Sequence, residues 1–370
     1  MLYGTDGTVR VHTPKFYGKS GSNGNKRWVR ISLVKLDDSW IEIPELLIDA
    51  YRNTVDNTVS ATPKAVSVVN TTEAFRGGGN RAQFDEYLTT ELETKDAFRS
   101  DLGKPRTNVS RANMRTYATN AGSELLCYEY YKWIFYWNYV IEYANFNSQA
   151  AYNAELTSDG YRQGGLGPGV TDWSNSATSW SGYNGTYPLT PCGYCNDIGN
   201  FTGIKDLVIP ECTATNGTDT VATKTFKVPR WRGFDNPFGD IWTNLDGVVI
   251  QRTAANEISS VYTTTNKEEF TDVIGSKTIA GYEVAQDGYI KEFDLGETAE
   301  IIPSSCTGAS ATTYICDYHS CNATSTELRT LLVGGHAVYG GFAGLGCFSS
   351  DPDVGNAYSN VGFRTLNRVS

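Results

Sequence analysis

The sequence predicts an α+β fold in which a small β-rich segment, residues 1–63, precedes a main domain with long loops, residues 64–370. Three observations carry that prediction. The stretch Arg27-Trp28-Val29-Arg30-Ile31-Ser32-Leu33-Val34-Lys35 alternates at period two, the mark of a half-buried strand. Between Ser123 and Tyr143, Leu125, Leu126, Tyr128, Tyr130, Tyr131, Trp133, Ile134, Phe135, Trp137, Val140 and Ile141 leave a helix apolar on nearly every side, so it belongs between layers. Last, residues 328–364 read as a strand (Leu331 to Val333), a Gly334-Gly335 turn, an exposed polar loop after Cys347, and a closing strand at Asn360-Val361-Gly362-Phe363-Arg364.

The remaining elements follow in order. Residues 1–25, rich in Gly, Lys, Ser and Asn, read as an arm that buries too little to fold alone. Ser39 to Pro44 is a second short strand, and Pro44 to Val55 reads as a small helix with proline in its first turn and Leu46, Leu47, Ala50 and Tyr51 on one face. Thr62-Pro63-Lys64 is the expected junction. Beyond it come a glycine loop at Phe75 to Asn80, a short helix at Phe84 to Leu92, a turn at Leu102 to Pro105, and a helix from Arg111 capped by Ser110. Ser123 is a candidate cap for the aromatic helix.

Residues 145–200 form a long stretch of low regularity, with Trp173, Trp180 and Tyr183 among Gly, Ser and Asn; loops of this length inside a domain are usually functional. Strands are then expected at Lys205 to Pro210, ended by the proline, at Phe226 to Pro229, at Val248 to Ile250, at Ser260 to Thr263 and at Gly288 to Phe293. Phe270 to Thr278 fits neither period, Thr307 to Thr313 is a small-residue loop, and no fixed-period repeat is present.

At 370 residues with 40% hydrophobic and 12% aromatic content, the chain has ample material for a packed core. A net charge of −10 argues against nucleic-acid binding, which needs clustered Lys and Arg. The first residues lack a basic start and an apolar core, and the run Leu125 to Tyr143 is broken by Glu129, Lys132, Asn138 and Glu142, so neither export nor membrane insertion is expected. Synthesis in a cytoplasm then predicts reduced thiols at Cys127, Cys192, Cys195, Cys212, Cys306, Cys316, Cys321 and Cys347. Cys192-Gly193-Tyr194-Cys195 has zinc-knuckle spacing; the looser Cys316 and Cys321 pair, with His319 the one nearby imidazole, favours packed or loop thiols over a metal.

The framework of the last segment resembles the C-terminal core of C-type-lectin-like proteins of the formylglycine-generating-enzyme (sulfatase-modifying) superfamily, in which "GG" opens and "SN-x-GFR" closes the segment. The residues concerned are Gly334, Gly335, Asn360, Gly362, Phe363 and Arg364. A second match, Trp231-Arg232-Gly233-Phe234-Asp235-Asn236-Pro237-Phe238-Gly239-Asp240-Ile241-Trp242, is similar to the family's "G-x-x-NP-x-G-x-x-W" core turn, through Gly233, Asn236, Pro237, Gly239 and Trp242. A third is the helical region Ala112 to Asn147. Within the superfamily the chain looks most like phage tropism-determinant virion proteins, whose tails are diversified by retroelements.

That resemblance implies a non-enzymatic phage structural protein, a fibre or tip component displayed on the virion surface. Its C-terminal face would bind a bacterial surface protein or glycan, its N-terminal segment would attach to other virion proteins of capsid or tail, and its display would be trimeric, since clustering weak sites raises avidity. The mixed first segment fits such an attachment or oligomerisation part, and equally fits extra strands of the main domain. The alternative function is a decoration or adaptor protein whose lectin-like fold mediates subunit contacts only.

The residues set among Gly, Ala and Ser between the framework motifs are the candidate ligand contacts: His336, Val338, Tyr339, Phe342, Phe348, Ser349, Asp353 and Tyr358. Aromatics with small neighbours make rigid contact surfaces of low entropy cost. The competing reading places Phe342 and Phe348 in the core. Catalysis finds little support. The superfamily's enzyme uses a cysteine pair between "GG" and "GFR", where this chain has Cys347 alone. His12, His319 and His336 lie in no nucleophile motif, the glycine runs lack a phosphate-loop lysine, and Asp235 with Asp240 read as loop caps rather than a glycosidase pair. The calcium motifs of vertebrate C-type lectins are absent, so no cofactor or metal is expected.

Overall fold

The computed structural model describes residues 2–3, 7–24, 26–72, 74–78, 101–149, 188–212, 220–310, 313, 315 and 317–369. The helix expected at Phe84 to Leu92 and most of the long loop region, with Trp173, Trp180 and Tyr183, lie outside these residues. Within them the architecture is mostly β with few helices.

The chain's two ends meet in one sheet. Arg10–Thr13, Leu46–Asp49, Thr365–Arg368 and Glu124–Leu125 lie side by side in that order, with Leu2–Tyr3 at the outer edge. This corrects two expectations. The described residues of the 1–25 stretch are not an arm: Arg10–Thr13 pairs with Leu46–Asp49, and Phe16–Asn23 pairs with both Lys26–Ser32 and Ile41–Ile43. Pro44 to Val55 is not a helix either. Its Leu46 and Ile48 are fully buried while Leu47 is not, which is the period of a strand between two neighbours. Backbone pairing supplied by distant strands overrides the short helical spacing.

The larger sheet runs Thr278–Glu283, Ser259–Thr263, Trp242–Arg252, Arg329–Val333, Phe348–Ser350, Tyr318–Cys321 and Gly288–Tyr289, with Val361–Gly362 pairing in parallel beside Trp242 and Thr243. The strand expected over Gly288 to Phe293 is split, because Ile290 turns fully into the core and Glu292–Asp294 pairs instead with Ile302–Ser305. A third sheet is the hairpin Gly203–Cys212 with Thr220–Trp231, closed by Phe234–Asp235. Pro210 does not end its strand. Among the described residues Gly203–Cys212 has a partner on one side only, and an edge strand tolerates the missing N–H.

The helix Arg111–Asn120 begins where Ser110 caps it, the serine hydroxyl accepting from Asn113 N–H at 3.4 Å. The aromatic helix starts later than expected. Glu124–Leu125 is a strand, Cys127 occupies the N-cap, and Ser123 hydrogen-bonds the Asn367 side chain at 3.0 Å instead. It runs through Tyr128–Tyr131, widens to a π-helix over Lys132–Trp137, and returns to α at Asn138–Tyr143.

This helix is the hub of the core. Phe135 meets Phe234 at 4.5 Å between ring centres, Tyr136 meets Phe293 at 5.6 Å, the Trp137 indole donates to Ala299 O at 2.7 Å, and the Tyr131 hydroxyl donates to Leu345 O at 2.7 Å. Each fully buried aromatic contributes about 2–3 kcal/mol through area alone. The N-terminal hairpin lies directly on it, since a Cβ at Gly18 would come within 2.4 Å of the Trp133 ring. No helix among the described residues is long and apolar enough to cross a membrane.

Candidate functional site

The C-terminal segment is held by its framework residues. Arg364 is fully buried; its guanidinium donates to the carbonyls of Asp49 (3.0 Å), Ala50 (2.8 Å), Asp235 and Asn236 (3.4 Å), so one side chain ties the closing motif to the N-terminal sheet and to the core turn. Burial draws its pKa down to about 9, which leaves it charged at neutral pH. Phe363 packs with Trp242, Leu332 and Cys347, and Trp242 N–H donates to Asn360 O at 2.8 Å. Trp231 is buried against Phe234 and Phe135, and the backbone turns back through Arg232 and Gly233. Gly239 N–H donates to Gly334 O at 3.0 Å, joining that turn, with Asn236 and Pro237 within it, to the glycine pair. Gly335 has a φ of +71°, and a Cβ there would come within 2.8 Å of Ala343. Glycine is required at that position.

Asp235 and Asp240 act as loop caps: the first accepts from Cys195 N–H (3.2 Å), the second from Leu189 N–H (3.3 Å) and Thr190 N–H (3.4 Å). Cys192 and Cys195 point their thiols at the carbonyls of Arg52 and Val228. Cys127, Cys192, Cys195, Cys306, Cys321 and Cys347 are free and buried, while the side chains of Cys212 and Cys316 lie outside the described residues.

After Gly335 the chain makes a 3-10 turn over Ala337–Phe342 and returns as Phe348–Ser350. These segments, the loop to Tyr358 and the start of Trp242–Arg252 enclose a cleft of about 400 Å³. His336, Tyr339, Ser349 and Tyr358 line it together, with Trp242 and Asn360 from the framework set and Asp287, Ser320 and Asp351 from elsewhere. His336 forms its floor: it is 9% exposed, 4.5 Å from Tyr339 and 5.9 Å from Trp242 between ring centres. Burial depresses its pKa to about 3, so the imidazole is neutral across the physiological range. Burial likewise raises the Tyr339 hydroxyl, keeping it protonated. Tyr358, 42% exposed, stands at the rim.

The other candidates fall elsewhere. Phe348 is fully buried beside His319, a core residue rather than a displayed one, because its strand lies between Arg329–Val333 and Tyr318–Cys321. Ser349 is buried too and reaches the cleft only as part of its wall. Val338 packs against the cluster of Leu189, Leu207 and Phe226. Asp353 is held in an ion pair with Arg329 at 2.6 Å. His336, a candidate ligand contact, is a buried floor residue rather than a displayed one. Phe342 is half exposed and joins a second group of rings: 4.7 Å from Tyr318, 5.1 Å from Tyr289 and 6.0 Å from Tyr339. A continuous run of aromatics therefore leads from Trp242 at the floor, through Tyr339, to Tyr318, Phe342 and Tyr289 at the surface.

Sequence reasoning missed Asp287, Tyr289, Tyr318, Ser320 and Asp351, and gave Trp242 a framework role alone. Tyr318-His319-Ser320-Cys321 does alternate, with His319 and Cys321 buried and its neighbours partly exposed, and that period was a usable signal. Its parallel pairing with Phe348–Ser350, which brings it to the cleft, is long-range and leaves no local trace.

No family model matches the chain, and no curated protein does. Among solved structures it is similar to one titled "Major Tropism Determinant U1 Variant", with a TM-score of 0.30 and 11% identity, and to "Major Tropism Determinant P3c Variant", with a TM-score of 0.28 and 11% identity. Each match covers 98% of this chain and 63% of the other, so the chain spans less than two thirds of those proteins' length; likeness at these scores carries no argument about fold or function.

Proposed function

We propose that the chain is a non-enzymatic, C-type-lectin-like structural protein of a phage virion, a fibre or tip component whose C-terminal cleft binds a bacterial surface receptor. One observation carries the reading. Four of the variable-looking residues set between the framework motifs, His336, Tyr339, Ser349 and Tyr358, converge on one cleft whose walls are fixed by buried framework residues. A preformed, partly aromatic concavity with a few polar groups is the usual form of a binding site. Attachment to other virion proteins through residues 1–63, homotrimeric display and retroelement variation of the last segment belong to the same proposal.

The decoration or adaptor alternative is favoured by a different feature. Leu33, Val34 and Leu36 stand 76%, 61% and 65% exposed on one loop of the N-terminal segment, and a cluster of exposed aliphatics commonly marks a protein contact.

The test is competition. Purified full-length protein is added to host cells before phage, and adsorption is measured alongside Tyr358→Ala and a Leu33→Ser/Leu36→Ser variant. Blocking by the native protein and the loop variant, with loss of blocking by Tyr358→Ala, supports the receptor reading. Blocking that is indifferent to Tyr358, or absent at saturation, removes it for that host.

A further inference from the structure

The cleft's chemistry narrows what it can hold. Its aromatic lining comprises Trp242, Tyr339, Tyr358 and the ring of His336, and its acidic lining is Asp287 and Asp351. None of the described residues lining it is a lysine or arginine. Arg329, on the strand that supplies Leu332 to the lining, is committed to Asp353 (2.6 Å) and to the Asp351 carbonyl (2.7 Å). Since its imidazole is neutral, His336 adds no positive charge to repel a cation. An anionic ligand would meet two acids and no donor cation, whereas aromatic rings combined with carboxylates attract a positively charged nitrogen through the ring quadrupole and through Coulomb attraction.

Resting on the receptor reading of the same cleft, we propose that the receptor group it receives is a primary ammonium, held between Asp287 and Asp351 against the aromatic walls. The same chemistry is carried by an unacetylated amino sugar of a surface polysaccharide and by a lysine side chain of a surface protein. Ser320, Ser349 and Asn360 supply neutral hydrogen-bonding groups for whatever carries the nitrogen.

The experiment is calorimetric titration of the full chain with glucosamine and Nα-acetyl-lysine methylamide, each beside its N-acetylated, uncharged counterpart, and with glucuronate as the anionic probe. At least one amine is expected to bind with a Kd of order 1 mM, its acetylated form about tenfold more weakly or not at all. Affinity should fall as salt rises from about 20 mM to about 500 mM, because both acids are exposed and screenable. In Asp287→Asn/Asp351→Asn the affinity should drop at least about fivefold. Asparagine at 287 keeps the oxygen that accepts Cys321 N–H at 2.7 Å, so the wall is preserved, and an unchanged melting temperature verifies it. Tighter binding of glucosamine assigns the nitrogen to a sugar, and tighter binding of the lysine derivative to a protein. Equal binding of amine and acetylated forms, preference for glucuronate, or no binding by either amine overturns the inference. Attachment of labelled protein to host cells separates the two levels: attachment sensitive to Tyr358→Ala without amine binding leaves the receptor reading standing and the ammonium inference refuted.

Discussion

Asp317 shows most plainly how a single buried residue can set the molecule's response to pH. It lies buried behind the loop that follows the 3-10 turn, where one carboxyl oxygen accepts from Gly346 N–H at 2.7 Å and the other has no partner among the described residues. Desolvation lifts its pKa to about 7. Unfolded, the group titrates near 3.9, so the native state holds the proton more tightly and is favoured most below about pH 4. Stability should then decline by up to about 4 kcal/mol as pH rises towards about 7, and level off above it. Urea denaturation across that range, native protein against Asp317→Asn, isolates the effect: the difference between the two should shrink towards acid, and parallel curves would refute it. At this scale much of the cleft was legible. His336, Tyr339, Ser349 and Tyr358 were singled out because they stand among small residues between two framework motifs. Phe348 could not be told apart from them, since an aromatic in a Gly- and Ser-rich stretch looks the same whether its strand is central or peripheral.

The elements most exposed to failure are the turn at Gly335 and the junction made by Arg364. Gly335→Ala forces a side chain into a left-handed backbone and against Ala343, with an expected loss of about 2–4 kcal/mol in chemical denaturation. Arg364→Met removes the guanidinium from the buried carbonyls of Asp49, Ala50 and Asp235, of which Ala50 O keeps the Asp235 N–H, and a loss of about 3 kcal/mol or more is expected. A change under 1 kcal/mol by that measure, about the scatter of ordinary surface substitutions, would show that the arginine does not join the motifs.

In the π-helix, buried Lys132 pairs with Glu300, with Glu129 at 2.7 Å, and with Thr298 at 2.9 Å. Lys132→Met strands two acids and should cost about 3–5 kcal/mol by the same assay. Sequence periodicity located the strands at Lys26–Ser32, Ser259–Thr263 and Arg329–Val333, because each alternates or runs apolar between clear breakers. It failed at Leu46–Asp49, where four residues fit either period and the deciding factor is pairing with residues 33 or more positions away.

Across the whole molecule, the N-terminal segment is a structural partner of the C-terminal one. Leu46–Asp49 lies between Arg10–Thr13 and Thr365–Arg368, so residues 64–370 alone would lack both that strand and the Asp49 and Ala50 carbonyls that Arg364 uses. Expressed by themselves they should show no cooperative melt; a sharp transition would show that the body folds without its first 63 residues. The same arrangement gives the molecule two candidate contact regions, the aromatic cleft and the exposed aliphatic loop at Leu33 to Leu36. Hydrogen–deuterium exchange of the full-length protein, free and bound to host-cell envelopes, decides between them most directly. Protection confined to residues 336–360 together with 287–289 and 318–320 is the expected result. Protection at residues 33–36 with the cleft unchanged would contradict the claim that this protein meets its host through the C-terminal face.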